Sequence, residues 1–302
     1  MRSSSILGVF FSAFLYASVT FVLLRFAPGG PFDGERVFPA EIMANLERRY
    51  GLDQPLLTQY LLWAKDVLRG DLRESFQYIG RPVADMIGES LPVSLQLGLV
   101  ALGLSLVIGI PAGALAAARK GTWVDHLTTF VTGMGLSVPS FLVATLLILF
   151  FSLYLGWFPS ALWEGPVSWV LPALTLAARP IAMIARLIRT STVESLAADY
   201  VRTAHAKGVD PTAVVLKHAL ANSLIPVIAL VGPLAANLVT GSFLVESVFQ
   251  IPGLGKHFVS GVLNRDYPLV TGITLVYGII LLSSNLITDW LAAHLDPRLR
   301  RV

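Results

Sequence analysis

The chain has no cysteine. Disulfides, iron–sulfur clusters and cysteine-ligated zinc are therefore excluded, although the absence identifies no compartment. Charge is scarce as well: Asp, Glu, Lys and Arg make up 14% of the 302 residues, against about 25% in an ordinary soluble domain. The net charge of +3 is modest, and the basic residues form no stripe of the kind that binds nucleic acid. The five histidines (His126, His205, His218, His257, His294) are scattered, without ligand spacing. No Gly-x-Ser-x-Gly nucleophile elbow occurs. Gly253-Leu254-Gly255-Lys256 looks like the end of a phosphate loop, but Gln250 stands where the first glycine is required and His257 where Ser or Thr is required. There is no convincing internal repeat or low-complexity segment.

What the chain has in abundance is apolar sequence. Hydrophobic residues make up 55%, and the mean hydropathy is +0.70. This composition marks an integral membrane protein. A helix needs about 20 apolar residues to cross the hydrocarbon core. Six segments qualify: about Ile6–Phe26, Val93–Ala118, Thr128–Leu155, Trp169–Ile188, Leu224–Phe249 and Leu269–Leu291. The first is read as a retained span rather than a signal peptide. It is longer than a signal core, it ends in Arg25-Phe26-Ala27-Pro28, and no small-x-small cleavage site follows.

Six spans put both termini on one side, and the basic residues choose which. With both termini inside, the inner segments hold Arg2, Arg119, Lys120, Arg189, Arg202, Lys207, Lys217, Arg298, Arg300 and Arg301. The two short outer loops hold only Lys256 and Arg265. The remaining loop, 27–92, exceeds the roughly 60-residue range of the charge rule and is neutral in the argument. Both termini are therefore expected in the cytoplasm, with 27–92 outside. Ser75 in that loop and Thr212 on the inner side offer themselves as topology reporters.

The outer loop carries helix signals. Pro39 can start a helix with Ile42, Met43 and Leu46 on one face. Pro55 can start another, with Leu56, Tyr60, Trp63 and Val67 at helical spacing and Gly70 just past its end. A small packed helical cap follows, either a lid on the bundle or a platform for an external partner. The spans also contain helix breakers: Pro111, Pro139, Pro172, Pro180, Pro226 and Pro233. In a membrane, neighbouring helices or water can satisfy the backbone groups that proline frees. Such kinks suit a bundle that changes shape.

Two charges fall within spans. Arg179 lies near the middle of the fourth, where an arginine costs roughly 2.5–3.5 kcal/mol and faces the bundle interior or water. It is either a pathway residue or a structural partner of Glu246, Asn237 or backbone carbonyls. Glu246, near the outer end of the fifth span, reads as a packed or pathway-rim residue. Arg186 and Asp289 sit near span ends, where snorkelling suffices.

The most distinctive stretch is polar and lies between the fourth and fifth spans. Val201 and Ala204 share one face of a short helix, and Gly208 fits the position just past its end. Asp210 then caps a second helix with Pro211 at its first position. A helix–turn–helix held this close to the membrane is poorly suited to DNA and well suited to docking a soluble partner.

Arg202-Thr-Ala-His-Ala-Lys-Gly208 resembles the cytoplasmic "EAA" coupling motif of ABC-transporter permeases of binding-protein-dependent importers. Ala204 and Gly208 match that motif, and His218-Ala219-Leu220-Ala221 occupies its final group. Arg202 replaces the family's Glu, and Ala221 its Pro. These departures are similar to the variant of the peptide and nickel permease branch, Arg-Thr-Ala-x-Ala-Lys-Gly with His-Ala-Leu and a later Ile-Pro. Leu24-Arg25-Phe26-Ala27-Pro28-Gly29, Val138-Pro139-Ser140-Phe141, Thr240-Gly241-Ser242, Val245-Glu246 and Ile251-Pro252-Gly253-Leu254-Gly255 also resemble this branch. So do Asn264-Arg265-Asp266-Tyr267 and Asp296-Pro297-Arg298. Gly30-Pro31-Phe32-Asp33-Gly34-Glu35-Arg36, Met43-Ala44-Asn45 and Thr58-Gln59-Tyr60 are most similar to the B subunits of oligopeptide permeases.

The resemblance spans essentially the whole chain. It implies an all-α membrane protein with the six transmembrane helices of the type I ABC-importer permease fold. The division would be a first span at 1–26, a periplasmic helical cap at 27–92, a five-helix permease core at 93–295 with a coupling loop at 190–223, and a cytoplasmic tail at 296–302. The implied partners are a homologous second permease, two cytoplasmic ATPases, a periplasmic peptide-binding protein, the peptide itself and membrane lipid. The chain would be non-catalytic, with no cofactor of its own, ATP and magnesium being bound by the ATPases of a bacterial inner-membrane complex. Arg202, Thr203, Ala204, Ala206, Lys207 and Gly208 would couple to those ATPases, and Arg179 and Glu246 are the candidate pathway residues. Oligopeptide is the expected cargo, with dipeptide, nickel or glutathione as alternatives within the branch. An ion-coupled secondary transporter would favour several interior carboxylates and two repeats of broken helices, and a structural anchor would not need the kinks.

Overall fold

A computed structural model describes residues 3–32, 45, 47–210, 213–240 and 243–295. The helix expected from Pro39 with Ile42, Met43 and Leu46 lies outside the described residues, as do Asp33–Arg36, Pro211, Thr212, Gly241, Ser242 and the tail 296–302.

Apolar sequence in a membrane must satisfy its backbone internally, so helices are the expected outcome. No strand forms among the described residues; Glu74 and Pro82 make an isolated antiparallel bridge. The helices are α1 (Ser3–Phe26), α2 (Leu56–Leu68), α3 (Val83–Ala118), α4 (Trp123–Ser137), α5 (Ser140–Leu147), α6 (Pro166–Leu196), α7 (Asp199–Ala206), α8 (Leu220–Val239), α9 (Phe243–Val248), α10 (Leu254–Leu263) and α11 (Tyr267–Leu295). A π-helical segment, Ile148–Tyr154, extends α5, and another, Val214–Ala219, leads into α8.

Five of the apolar stretches, at Leu7–Phe26, Val83–Ala118, Pro166–Leu196, Val214–Val239 and Tyr267–Leu291, are long enough to cross a membrane as single helices. The expected third span is different. It is two helical stretches, Trp123–Ser137 and Ser140–Tyr154, bent by 110° at their junction, and it brings the spans to six if the pair crosses as one. Pro139 supplies the break: Val138 before it is extended, with φ −78° and ψ 128°. The other prolines do not break their helices. Pro172 and Pro180 lie inside α6, and Pro226 and Pro233 inside α8. Hydropathy also misplaced several boundaries. α3 begins ten residues before the expected Val93, and the fifth span starts in the π-helical segment and ends near Thr240.

The chain divides into two compact units: one of Val93–Pro252 with the residues from Ile280 on, the other of the residues up to Pro92 with Gly253–Ile279. In the first, α6 is the central helix. Leu171, Ala173 and Ala177 pack with Leu97, Ala101, Ala144, Val245 and Phe249 in one core cluster. Ile184 and Ile188 pack with Ala114, Val227 and Leu234 in another. Close approach depends on small residues, as is usual between membrane helices. A Cβ built on Gly113 of α3 would lie 2.4 Å from the Ala185 carbonyl oxygen of α6.

In the second unit, α2 packs on α1. Trp63 and Tyr60 join Phe14, Ala17 and Phe21, and the Phe21 and Trp63 ring centroids are 5.1 Å apart. Leu56 is half exposed rather than part of that face. Gly70, with φ +81°, ends α2 as expected: its N–H reaches the Val67 carbonyl and that of Asp71 reaches the Asp66 carbonyl. Asp266 is fully buried. It accepts hydrogen bonds from the Ser75 hydroxyl and from the Phe76 and Leu269 N–H groups at 3.1 and 3.3 Å. Ser75 is therefore inaccessible and cannot serve as a topology reporter.

Candidate functional site

The helix–turn–helix forms as local chemistry dictates. α7 ends at Ala206, and Gly208 adopts φ +74°, a conformation costly for other residues. The Val209 N–H then reaches back to the Ala204 carbonyl at 3.2 Å, while Val209 packs beside Ala204. Asp210 caps the next helix, its Oδ1 accepting from the Ala213 N–H at 3.1 Å. Val201, Ala204 and Val214 are buried together with Leu196 and Val209 alongside. That small core fixes which face points out.

The outward face carries most of the sequence-predicted coupling residues. Arg202, Thr203, Ala206, Lys207 and Gly208 are exposed, and Ala204 is buried. Arg202 makes only a loose, exposed ion pair with Asp199 at 3.5 Å, a contact of little energetic weight. The Thr203 hydroxyl donates to the Asp199 carbonyl at 3.0 Å. Built onto Gly208, a Cβ would meet nothing within 4 Å. The turn is thus open within the chain, and the glycine is required by its backbone angle rather than by crowding.

A cavity of about 540 Å³ lies elsewhere in the same unit, between the α4–α5 break, α6 and α8. Its lining includes Ser137, Pro139, Thr175, Arg179, Pro233 and Asn237. Arg179 lines this space and is exposed, and among the described residues it forms no ion pair with Glu246. Glu246 is fully buried in α9 and accepts a hydrogen bond from the Ser94 hydroxyl at 3.0 Å. It is not among the residues that line the cavity.

The family of binding-protein-dependent transport system inner membrane components matches residues 109–301, which include both the helix–turn–helix and the cavity. The chain belongs to this family. It is 42% identical over 289 residues to the oligopeptide transport system permease protein OppB of Haemophilus influenzae, covering 95% of this chain and 94% of that one. The dipeptide transport system permease protein DppB of Bacillus subtilis is 42% identical over 283 residues, covering 94% and 92%. A chain of the MetNI methionine ABC transporter, solved in inward-facing conformations, shares the fold with a TM-score of 0.58. It is 17% identical, and the match covers 70% of this chain and 96% of that one.

Three features of this permease escaped the sequence reading. Asp125 of α4 is buried and receives Arg189 through Nε at 2.5 Å and Nη2 at 2.8 Å, with the Gly121 N–H adding 2.9 Å. Hydropathy ends the fourth span at Ile188 and leaves Arg189 in a loop, whereas α6 runs on to Leu196. Arg265 points its guanidinium at Gly29, where a Cβ would lie 2.1 Å from Nη1, and donates to the Gly30 carbonyl at 3.2 Å. Asp266 is the third. Asn264–Tyr267 had stood out only by resemblance, because a pairing across some 190 residues leaves no periodic signal.

Proposed function

We propose that this permease carries oligopeptides inward across the bacterial inner membrane by alternating access, as one subunit of an ATP-driven importer. The observation that carries the reading is connectivity. α7 sits between α6 and α8, and both of those helices line the cavity. A displacement applied to the exposed face of α7 would reach two cavity walls through the helices on either side of it, and so bias a two-state pathway. The assembly would comprise a homologous second permease, two cytoplasmic ATPases that bind ATP and magnesium, and a periplasmic peptide-binding protein. This chain performs no chemistry of its own. Arg202 and Lys207 would meet acidic groups of an ATPase. Arg179 would stand on the pathway, and Glu246 would hold the pathway's framework from within.

Reconstitution tests the cargo. Uptake of tetra-alanine into proteoliposomes is expected to require ATP, both permeases and the binding protein. Uptake of nickel or another non-peptide solute alone would overturn it. The DppB relative supports dipeptides as a second reading, so dialanine belongs in the same assay.

The orientation proposal, with both termini and α7 cytoplasmic, follows from the basic residues. The native chain has no cysteine, so single replacements report cleanly. Ile79, 75% exposed, replaces Ser75 as the outer position, and exposed Lys120 serves as the inner one. A membrane-impermeant thiol reagent added to intact cells should label Ile79→Cys and spare Lys120→Cys until the membrane is opened. The opposite pattern would reverse the topology.

A further inference from the structure

Among the described residues, Arg179 is the only ionisable one lining the α4–α5–α6–α8 cavity. Among the described residues it has no hydrogen-bond or ion-pair partner. A guanidinium within a membrane span is tolerated where water or an anion compensates it. No lining residue supplies that anion. Ser137 and Thr175 have neutral hydroxyls already committed to the Gly133 and Leu171 carbonyls, at 3.0 and 2.8 Å. Asn237 is neutral and exposed to the cavity. The cavity therefore presents one positive charge on a neutral wall, and a guanidinium can donate two parallel N–H···O bonds to a planar anion.

A carrier of varied peptides gains little from gripping side chains, since that would narrow its range. The one anionic group common to linear peptides is the C-terminal carboxylate. We propose that Arg179 is a transient subsite for the C-terminal carboxylate of the transported peptide. The proposal rests on the peptide-cargo reading. Its place on α6 is apt, because α6 ends three residues before α7 begins, so the wall that holds the carboxylate is joined to the docking element by a short turn.

The test uses the complete complex in proteoliposomes, with peptide-loaded binding protein at saturation, and compares three probes. Trialanine carries only the terminal carboxylate, trialanine amide carries none, and Ala-Glu-Ala amide carries only a side-chain carboxylate. For the wild type, the initial uptake rate of trialanine should exceed that of its amide by roughly tenfold, the value of one charge-assisted hydrogen bond. In Arg179→Gln the ratio should fall to about one, and Arg179→Lys should restore part of it. A merely structural role would slow both probes and leave the ratio standing, which would overturn the proposal. Preference for Ala-Glu-Ala amide over trialanine would assign the site to side chains and overturn the terminal assignment. A wild-type complex that imports none of the three would remove the cargo reading and this subsite with it, whereas import at a flat ratio would remove the subsite alone.

Discussion

Replacing Gly208 with tryptophan is expected to abolish transport while leaving the protein inserted in the membrane. Two effects combine. The φ of +74° at this position penalises any L-residue, by roughly 1 kcal/mol, too little to unfold a bundle held by its own helix packing. The larger effect is at the surface. A Cβ here meets nothing within the chain, so an indole projects outward from the face that carries Arg202 and Lys207. In the proposed assembly that face docks on an ATPase, and a bulky ring holds it away. Membrane-fraction yield should match the wild type, while substrate-stimulated ATP hydrolysis in the reconstituted complex falls to the unstimulated level. Gly208→Ala separates the terms, since it carries the backbone penalty without the bulk, and should retain most coupling. Full transport by the tryptophan variant would refute docking at this turn.

Gly113→Leu should fail earlier, before assembly. Gly113 faces α6 across a contact in which even a Cβ would approach the Ala185 carbonyl oxygen to 2.4 Å and the Ile188 Cβ to 2.8 Å. Backbone cannot rotate away as a flexible side-chain tip can. α3 must therefore separate from α6, opening the core around Ala114, Ile184 and Ile188, at a cost of several kcal/mol by analogy with overpacked cores. The expected result is loss of the monodisperse peak on detergent gel filtration and rapid proteolysis in cells. Gly103→Leu on the same helix is the control, since a Cβ there meets nothing within 4 Å; it should accumulate normally. Equal yields of the two variants would contradict the packing of α3 on α6.

Much of the helix–turn–helix was legible in the sequence because its signals are short-ranged. A left-handed glycine and an aspartate cap each act over fewer than six residues, and Gly208 and Asp210 do so here. The apolar spans were legible for a similar reason, since burial in lipid is read from composition over a single window. Helix ends were less so. Hydropathy sees where apolar sequence stops, not where backbone hydrogen bonding stops, and so it cut α6 at Ile188 and left Arg189 outside the helix that presents it to Asp125.

The sequence by itself determined that this chain is a helical membrane protein with a polar helix–turn–helix between two of its spans. Composition sets the solvent, and local backbone preferences set the turn. Tertiary structure decided which prolines matter. Pro139 breaks its span, while Pro172, Pro180, Pro226 and Pro233 leave theirs continuous, because neighbouring helices or water can satisfy the backbone groups that proline frees within a membrane. It likewise decided the fate of the charged residues: Arg179 on a cavity wall, Glu246 buried against Ser94, and Asp266 tied to Ser75. A charge meets its partner by the rotation and contact of whole helices, and those depend on packing between residues far apart in the chain.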